Sequence, residues 1–257
     1  MALIICLSNK VTNMCKIDWD PHNIISKLSI SSVDIANAVS LFGNQAIVKL
    51  RGDDCCPGLY YIPKKGLKPN EFAGIDIPCL ITNSEHKTDE TIMIIGEAPR
   101  RGRCGHNSKT PCSLGTPYAI QFSDYPDQCW VYKQIFKGLL DKYNLYLTDA
   151  IKFWASQGTS FFNNNDWRDI LKDEIGNVSP KMIVTFGRVA KDMLDKISSA
   201  VLKGTEIRNI LHPSLTNIGR WKNHVEICPC DIPHYVLEFI LENQGETDMY
   251  KQIKQKA

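Results

Sequence analysis

Four short apolar segments, each followed by a longer amphipathic one, restrict the possible folds of this chain more than any other feature of its sequence. The short segments are rich in β-branched residues, as buried strands are, and cover residues 91–95, 145–151, 181–186 and 206–211. Apolar residues recur at helical spacing over 127–143, 166–175, 188–197 and 233–242. Strands that are apolar throughout and joined through helices form parallel sheets covered on both faces. The sequence therefore predicts an α/β fold of three layers, α/β/α, with a central, mostly parallel four-stranded sheet, and 225–228 is a candidate for a fifth, short strand.

Three parts of the chain differ in pattern. Residues 89–243 carry the alternation of strands and helices and form the main domain. Residues 1–88 are an N-terminal extension that is predicted to pack on this domain or to roof its pocket, with a helix over 33–42 and a strand over 45–50. Residues 244–257 are a polar C-terminal tail.

Composition narrows the class of protein. With 257 residues, of which 43% are hydrophobic and 23% charged, the chain resembles an ordinary globular protein. No apolar run approaches the ~20 residues that span a bilayer, and residues 2–7 lack the flanks of a signal peptide. We therefore expect a cytoplasmic monomer that does not bind membranes, with its ten cysteines reduced. The spacing in Cys55-Cys56 and in Cys228-Pro229-Cys230 is tighter than in the usual CxxC zinc site, so no metal is expected.

The residues that follow the predicted strands are the candidates for a functional site, because ligands of such folds bind at the carboxyl ends of the strands. They are Gly96-Glu97-Ala98-Pro99, Thr148-Asp149, Gly187-Arg188 and His212-Pro213-Ser214. A basic run without acidic residues, 100–109, comes directly after the first of them. Such a run either holds phosphates or is a solvated loop, and its position beside the candidate site favours phosphates.

These motifs resemble, in the same order, those of the uracil-DNA glycosylase superfamily. Gly96-Glu97-Ala98-Pro99 is similar to the first motif of its bacterial and archaeal iron–sulfur branch, and Gly115-Thr116-Pro117-Tyr118 resembles the Gly-x-Pro-Phe of that branch. The stretch 146–152 resembles Tyr-x-Thr-Asn-x-x-Lys, 180–190 resembles the third core strand and helix, and His212-Pro213-Ser214 resembles the last motif. Each motif alone is weak, but their order over residues 91–240 is specific. The resemblance implies an enzyme that flips a base out of DNA and hydrolyses its N-glycosidic bond.

The resemblance assigns roles to residues at the strand ends. His212 would donate a hydrogen bond to O2 of the base and stabilise the departing anion. Tyr118 would stack on the flipped base, while the backbone of Gly96 and Ala98 would cradle the sugar and the attacking water. Many members carry Asp or Asn at the position of Ala98, which leaves Glu97 as the nearest catalytic carboxylate. The alternatives are a turn histidine, a core aromatic and a Glu97 that only holds its loop.

A second group of residues is predicted to contact DNA. By resemblance, the loop 215–221 enters the minor groove, with Leu215 or Ile218 as the apolar wedge that fills the vacated stack. The remaining candidates for DNA contacts are Arg101, Arg103, Ser214, Arg220 and Lys222.

The sequence departs from the iron–sulfur branch at two positions. The branch has a cysteine after the lysine of its strand motif, whereas Lys152 is followed by Phe153, so we expect neither the cluster nor another cofactor. Asp149 stands where the family has asparagine. A carboxylate can only accept hydrogen bonds, so it repels O4 of uracil but suits the N4 amino group of cytosine.

The substrate predicted from Asp149 is a modified cytosine, since excision of ordinary cytosine would destroy the host's own DNA. Arg100 lies where it could meet a polar group on C5, such as a hydroxymethyl or sugar group of phage DNA. This resembles an anti-phage branch of the superfamily. Repair of uracil or another deaminated base, a guanine derivative, and a catalytically silent DNA-binding module remain alternatives, as does an Asp149 turned away onto a basic residue. An unrelated flavodoxin-like nucleotide binder is disfavoured because no GxGxxG motif follows the first strand.

Overall fold

The computed structural model describes residues 15–28, 30–43, 59–63, 67, 71–83, 88–99, 109–119, 130–156, 164–214, 219, 221–225, 227–242 and 247–251. The strands in this part of the chain are β1 (Cys15–Trp19), β2 (Tyr60–Ile62), β3 (Ala73–Asp76), β4 (Cys79–Asn83), β5 (Thr91–Gly96), β6 (Cys112–Gly115), β7 (Asn144–Asp149), β8 (Phe153–Ala155), β9 (Met182–Phe186) and β10 (Glu206–Ile210). The α-helices are α1 (Ser32–Gly43), α2 (Trp130–Leu140), α3 (Asn164–Val178), α4 (Arg188–Leu194) and α5 (Ile232–Leu241).

The central sheet has six strands in the order β1-β4-β7-β5-β9-β10. The four predicted strands, β7, β5, β9 and β10, are adjacent and parallel, with β10 at one end of the strand order, so the predicted α/β fold with a central sheet is confirmed. In the register, Ile94 lies opposite both Leu147 and Val184. The same register places Gly96 opposite Asp149, which brings the ends of β5 and β7 together.

Both faces of the sheet are covered, because the central strands alternate between two hydrophobic clusters. Ile92 and Ile94 point into the cluster formed with α2 and α5, whereas Met93 and Ile95 point into the cluster formed with α3 and α4. The middle of β5 and the middle of β9 are therefore apolar on both faces, which explains the nearly continuous apolar sequence of each strand.

The N-terminal segment contains strands that the sequence pattern does not predict, besides the one helix that it does. That helix, predicted over 33–42, is α1, whereas the strand predicted over 45–50 lies outside the described residues. β4 pairs antiparallel with β7, and β1 pairs antiparallel with β4, so this segment extends the central sheet at one edge. A second sheet, in the order β2-β6-β3-β8, combines strands from this segment and from the main domain.

Two features lie near the C-terminus. The candidate strand over 225–228 is not found in the described residues of this stretch: Val225 ends a π-helical turn, Trp221–Val225, and Ile227 and Cys228 precede a 3₁₀ turn, Pro229–Asp231, without strand pairing. In the tail, Asp248 forms a parallel bridge with Asn209, and Met249 is buried. No helix in the described ranges is long and apolar enough to cross a bilayer.

Candidate active site

The end of β5 and the end of β7 form the base of the candidate site. The backbone ties them together, since the Ala150 N–H donates to the Gly96 carbonyl at 2.9 Å and the Ile151 N–H donates to the Glu97 carbonyl at 3.0 Å. A Cβ added to Gly96 would collide with Oδ1 of Asp149 and lie 3.1 Å from the Tyr118 hydroxyl. Only glycine therefore allows Asp149 and Tyr118 to approach the first motif this closely.

Tyr118 belongs to an aromatic cluster at this end of the sheet. Its ring centroid lies 4.9 Å from that of Tyr132, 5.3 Å from that of Phe136 and 5.7 Å from that of Phe186. Its backbone is left-handed, with φ 59° and ψ 15°, which is uncommon for a residue other than glycine. Burial, and then the neighbouring Asp149, raise the pKa of Tyr118 well above its ordinary value. Its hydroxyl is buried and has no hydrogen-bond partner among the described residues.

His212 follows β10 and is held from two sides. The Tyr132 hydroxyl lies 3.1 Å from its Nδ1, and the two rings are nearly perpendicular, at 84°. The Trp221 indole N–H donates to the His212 backbone carbonyl at 3.2 Å. Because Tyr132 also packs against Tyr118, His212, Tyr118 and Asp149 are linked through successive contacts at one end of the sheet.

Glu97 packs against the first turn of α4. Gly187 precedes this helix with φ 97° and ψ 164°, and a Cβ there would collide with the carboxylate of Glu97. Unpaired N–H groups and the helix dipole at such an N-terminus stabilise a negative charge. The contact fits the alternative in which Glu97 holds its loop, and its catalytic role remains a prediction.

A buried ion pair lies behind Asp149. The Lys152 ammonium donates to Oε2 of Glu174 at 2.5 Å, to the Asp149 backbone carbonyl at 2.5 Å and to the Thr148 hydroxyl. Oε1 of Glu174 accepts from the hydroxyls of Tyr146 and Thr148, each at 2.8 Å. Because Lys152 and Glu174 are 1% and 0% exposed, each ion depends on the other for its compensation.

Asp20, in the N-terminal segment, lies near enough to this ion pair for the charges of Glu174 and Lys152 to affect its pKa. Its carboxylate accepts from the N–H groups of Ile24 and Ile25 at 2.6 and 3.0 Å. Burial raises the pKa of Asp20 from 3.8 to about 6, because desolvation outweighs those two hydrogen bonds.

Sequence reasoning identifies Lys152 only as part of a motif and misses Glu174, Tyr132 and Trp221. Glu174 offers a signal, because it occupies the apolar face of α3 at helical spacing from Trp167, Leu171 and Val178. Tyr132 and Trp221 offer none, since buried aromatic side chains are usual in cores.

A comparison with models of known protein families identifies the family of this chain. The family model described as "Uracil DNA glycosylase superfamily" matches residues 84–242, well over half of the chain. The chain belongs to the uracil-DNA glycosylase superfamily. Membership implies, in general terms, a DNA glycosylase, which is a hydrolase that acts on DNA. No individual curated protein matches the chain significantly.

Several residues predicted to contact DNA or the base in this glycosylase cannot be placed. Arg100, Arg101, Arg103, Leu215, Ile218 and Arg220 lie outside the described residues. Ser214 is half-buried two residues after His212, and Lys222 is exposed in the π-helical turn. Ala98 is half-buried beside the buried Pro99. Contacts of all these residues with DNA therefore stay predictions.

Two places in the described part of the chain bear on the binding of a metal ion or an iron–sulfur cluster. Phe153, at the position of a cluster cysteine in the iron–sulfur branch of the superfamily, is 5% exposed and packs in the core beside α3, so its phenyl ring does not fit a ligand role. Cys228 and Cys230 lie with their sulfurs 2.9 Å apart on the surface. Together with Asp231 they are the one group of three potential metal ligands among the described residues.

Proposed function

We propose that this member of the superfamily removes a modified cytosine from DNA and leaves an abasic site. In the reaction, a water oxygen bonds to C1′ of the sugar while the bond from C1′ to the base nitrogen breaks. The base leaves with the electron pair and then takes up a proton. The observation that carries the proposal is the position of Asp149, an acceptor that ends β7 beside Gly96 and Tyr118, where the resemblance expects asparagine.

The direction of the Asp149 carboxylate supports a role in reading the base. Its Oδ1 lies against Gly96, toward the first motif. Lys152, the cation nearest in sequence, pairs with Glu174 and reaches Asp149 through the backbone carbonyl. This arrangement favours a carboxylate directed at the first motif over one turned onto Lys152.

The chemistry of a carboxylate favours cytosine over uracil. The N4 amino group of cytosine donates to it, whereas O4 of uracil is a second acceptor that would repel the carboxylate and leave it partly unpaired. An unpaired buried group costs ~1–3 kcal/mol, and more when it is charged. The preference expected from this difference is ~10- to 100-fold or greater.

Two further residues complete the proposed mechanism. His212, held beside Tyr132 and Trp221, would donate to O2 of the base as negative charge develops there. Arg100, which follows the buried Pro99, would meet a polar group on C5 and so restrict excision to modified bases such as those of phage DNA.

Two observations favour other functions. Membership of the superfamily favours repair of uracil or another deaminated base. The alanine at position 98, where many members have a carboxylate or amide, favours a silent module that binds DNA without releasing a base.

One panel separates these functions. Single- and double-stranded oligonucleotides carrying uracil, cytosine, 5-hydroxymethylcytosine or glucosylated 5-hydroxymethylcytosine are incubated with the protein. Abasic sites are scored by alkaline cleavage and free bases by mass spectrometry. We expect release of a 5-substituted cytosine by the wild type and by the surface variant Lys203→Ala, and its loss in His212→Ala and Asp149→Ala. Release of uracil alone would favour repair, and salt-sensitive binding without any base release would favour the silent module.

A further inference from the structure

His212 can donate a hydrogen bond to a departing base only if the ring nitrogen that faces the base carries a proton. A neutral imidazole has one N–H, so one ring nitrogen donates and the other accepts. In the neutral ring, donation from Nε2 to the base therefore leaves Nδ1 without a proton.

Tyr132 is placed to make that choice. Its hydroxyl lies 3.1 Å from Nδ1 of His212, within hydrogen-bonding distance. The Tyr132 side chain is 7% exposed, and its ring packs against Phe136 and Phe186 at centroid distances of 6.2 and 6.3 Å. The hydroxyl is therefore held in one place by the aromatic cluster, and the backbone of His212 is held by Trp221.

We propose that Tyr132 is a positioning residue whose hydroxyl donates to Nδ1 of His212 and so keeps the imidazole proton on Nε2. A tyrosine hydroxyl can donate to an unprotonated Nδ1 or accept from a protonated one, and donation to Nδ1 is the arrangement that leaves the imidazole proton on Nε2. The hydrogen bond would fix both the orientation of the imidazole ring and the position of its proton, and donation to O2 needs both. This inference rests on the proposed function for its use of the Nε2 proton.

The test is a measurement of the tautomer in the full chain. Protein labelled with ¹⁵N-histidine is examined by long-range ¹H–¹⁵N correlation, which distinguishes protonated from unprotonated ring nitrogens. The His212 signals among those of six histidines are assigned by their loss in His212→Ala. We expect Nδ1 unprotonated and Nε2 protonated in the wild type, and a mixture of tautomers in Tyr132→Phe. The matched control is Tyr235→Phe. The ring centroids of Tyr235 and Trp221 lie 6.2 Å apart, and the Tyr235 hydroxyl should not affect His212.

Kinetics give a second readout. Removal of one hydrogen bond of this kind should lower kcat about five- to tenfold in Tyr132→Phe, with KM unchanged. A proton on Nδ1 in the wild type, or a Tyr132→Phe spectrum identical to the wild type, would overturn the inference. If no DNA releases a base, the proposed function fails, yet the wild-type spectrum still decides the tautomer.

Discussion

Replacement of Lys152 by methionine should strongly destabilise the protein, because it breaks a buried ion pair. Methionine is of similar length but leaves the Glu174 carboxylate, which is 0% exposed, without its cation. The Asp149 backbone carbonyl also loses the donor that it has at 2.5 Å. Removal of one member of a buried pair typically costs ~3–5 kcal/mol. A loss of this size is a large part of the ~5–15 kcal/mol by which most domains are stable.

The measurement is urea unfolding followed by circular dichroism and tryptophan fluorescence, with the free energies compared at equal m-values. The double variant Lys152→Met/Glu174→Gln removes both charges and keeps a carbonyl oxygen for the hydroxyls of Tyr146 and Thr148. It should recover at least ~2 kcal/mol relative to Lys152→Met, because the cost lies in the uncompensated charge.

An exposed ion pair provides the matched control. Lys181 and Glu90 lie 2.6 Å apart but are 47% and 50% exposed, so Lys181→Met should destabilise the protein far less than Lys152→Met. The reasoning would be refuted if Lys152→Met cost no more than Lys181→Met, or if the double variant were no more stable than Lys152→Met.

Three further variants follow from the same physical arguments. Gly187→Ala should lower the free energy of unfolding in urea by ~1–3 kcal/mol because of the strained backbone, and further because the new Cβ collides with Glu97. Gly204, with φ +81°, has open space around it, so Gly204→Ala should show only the loss that comes from the backbone. Tyr118→Phe removes a buried hydroxyl without a partner among the described residues and should raise stability by ~1–3 kcal/mol, so a lower Tm would contradict it. Because the pKa of Asp20 is raised in the folded protein, its contribution to the free energy of unfolding is complete below pH 3.8 and is lost as the pH rises to about 6. Wild type should therefore lose stability relative to Asp20→Asn over this interval, and parallel profiles would argue against it.

The parts of the fold that the sequence predicts are those with a continuous signal. β5, β7 and β9 are five or six residues long and mostly buried, and each contains at least three consecutive apolar residues. The signal of β10 is weaker, because Arg208 and Asn209 interrupt its apolar residues. The second sheet escapes prediction because its strands are three or four residues long and mixed in polarity. Ser113 in β6, for example, is fully buried and donates to the Ala73 carbonyl at 3.3 Å, a contact that sequence spacing cannot reveal.

The candidate site divides in the same way. Gly96, Asp149 and His212 are predictable because each lies at the carboxyl end of a strand or just after it, and parallel strands bring these ends to one edge of the sheet. Tyr132 and Glu174 belong to helices, and they become neighbours of His212 and Lys152 only when those helices pack on the sheet. The residues that orient the site therefore depend on tertiary packing, while the residues at its centre depend on local sequence.

The central claim is that the acceptor at position 149 selects the base, and exchange of that group for a neutral amide tests it most directly. In Asp149→Asn, kcat/KM is measured for uracil and for 5-hydroxymethylcytosine in the same duplex, beside the wild type. We expect the preference to shift toward uracil by roughly a hundredfold or more, because the amide donates to O4 and accepts from N3–H. Equal ratios of the two rates in Asp149→Asn and the wild type would contradict the claim.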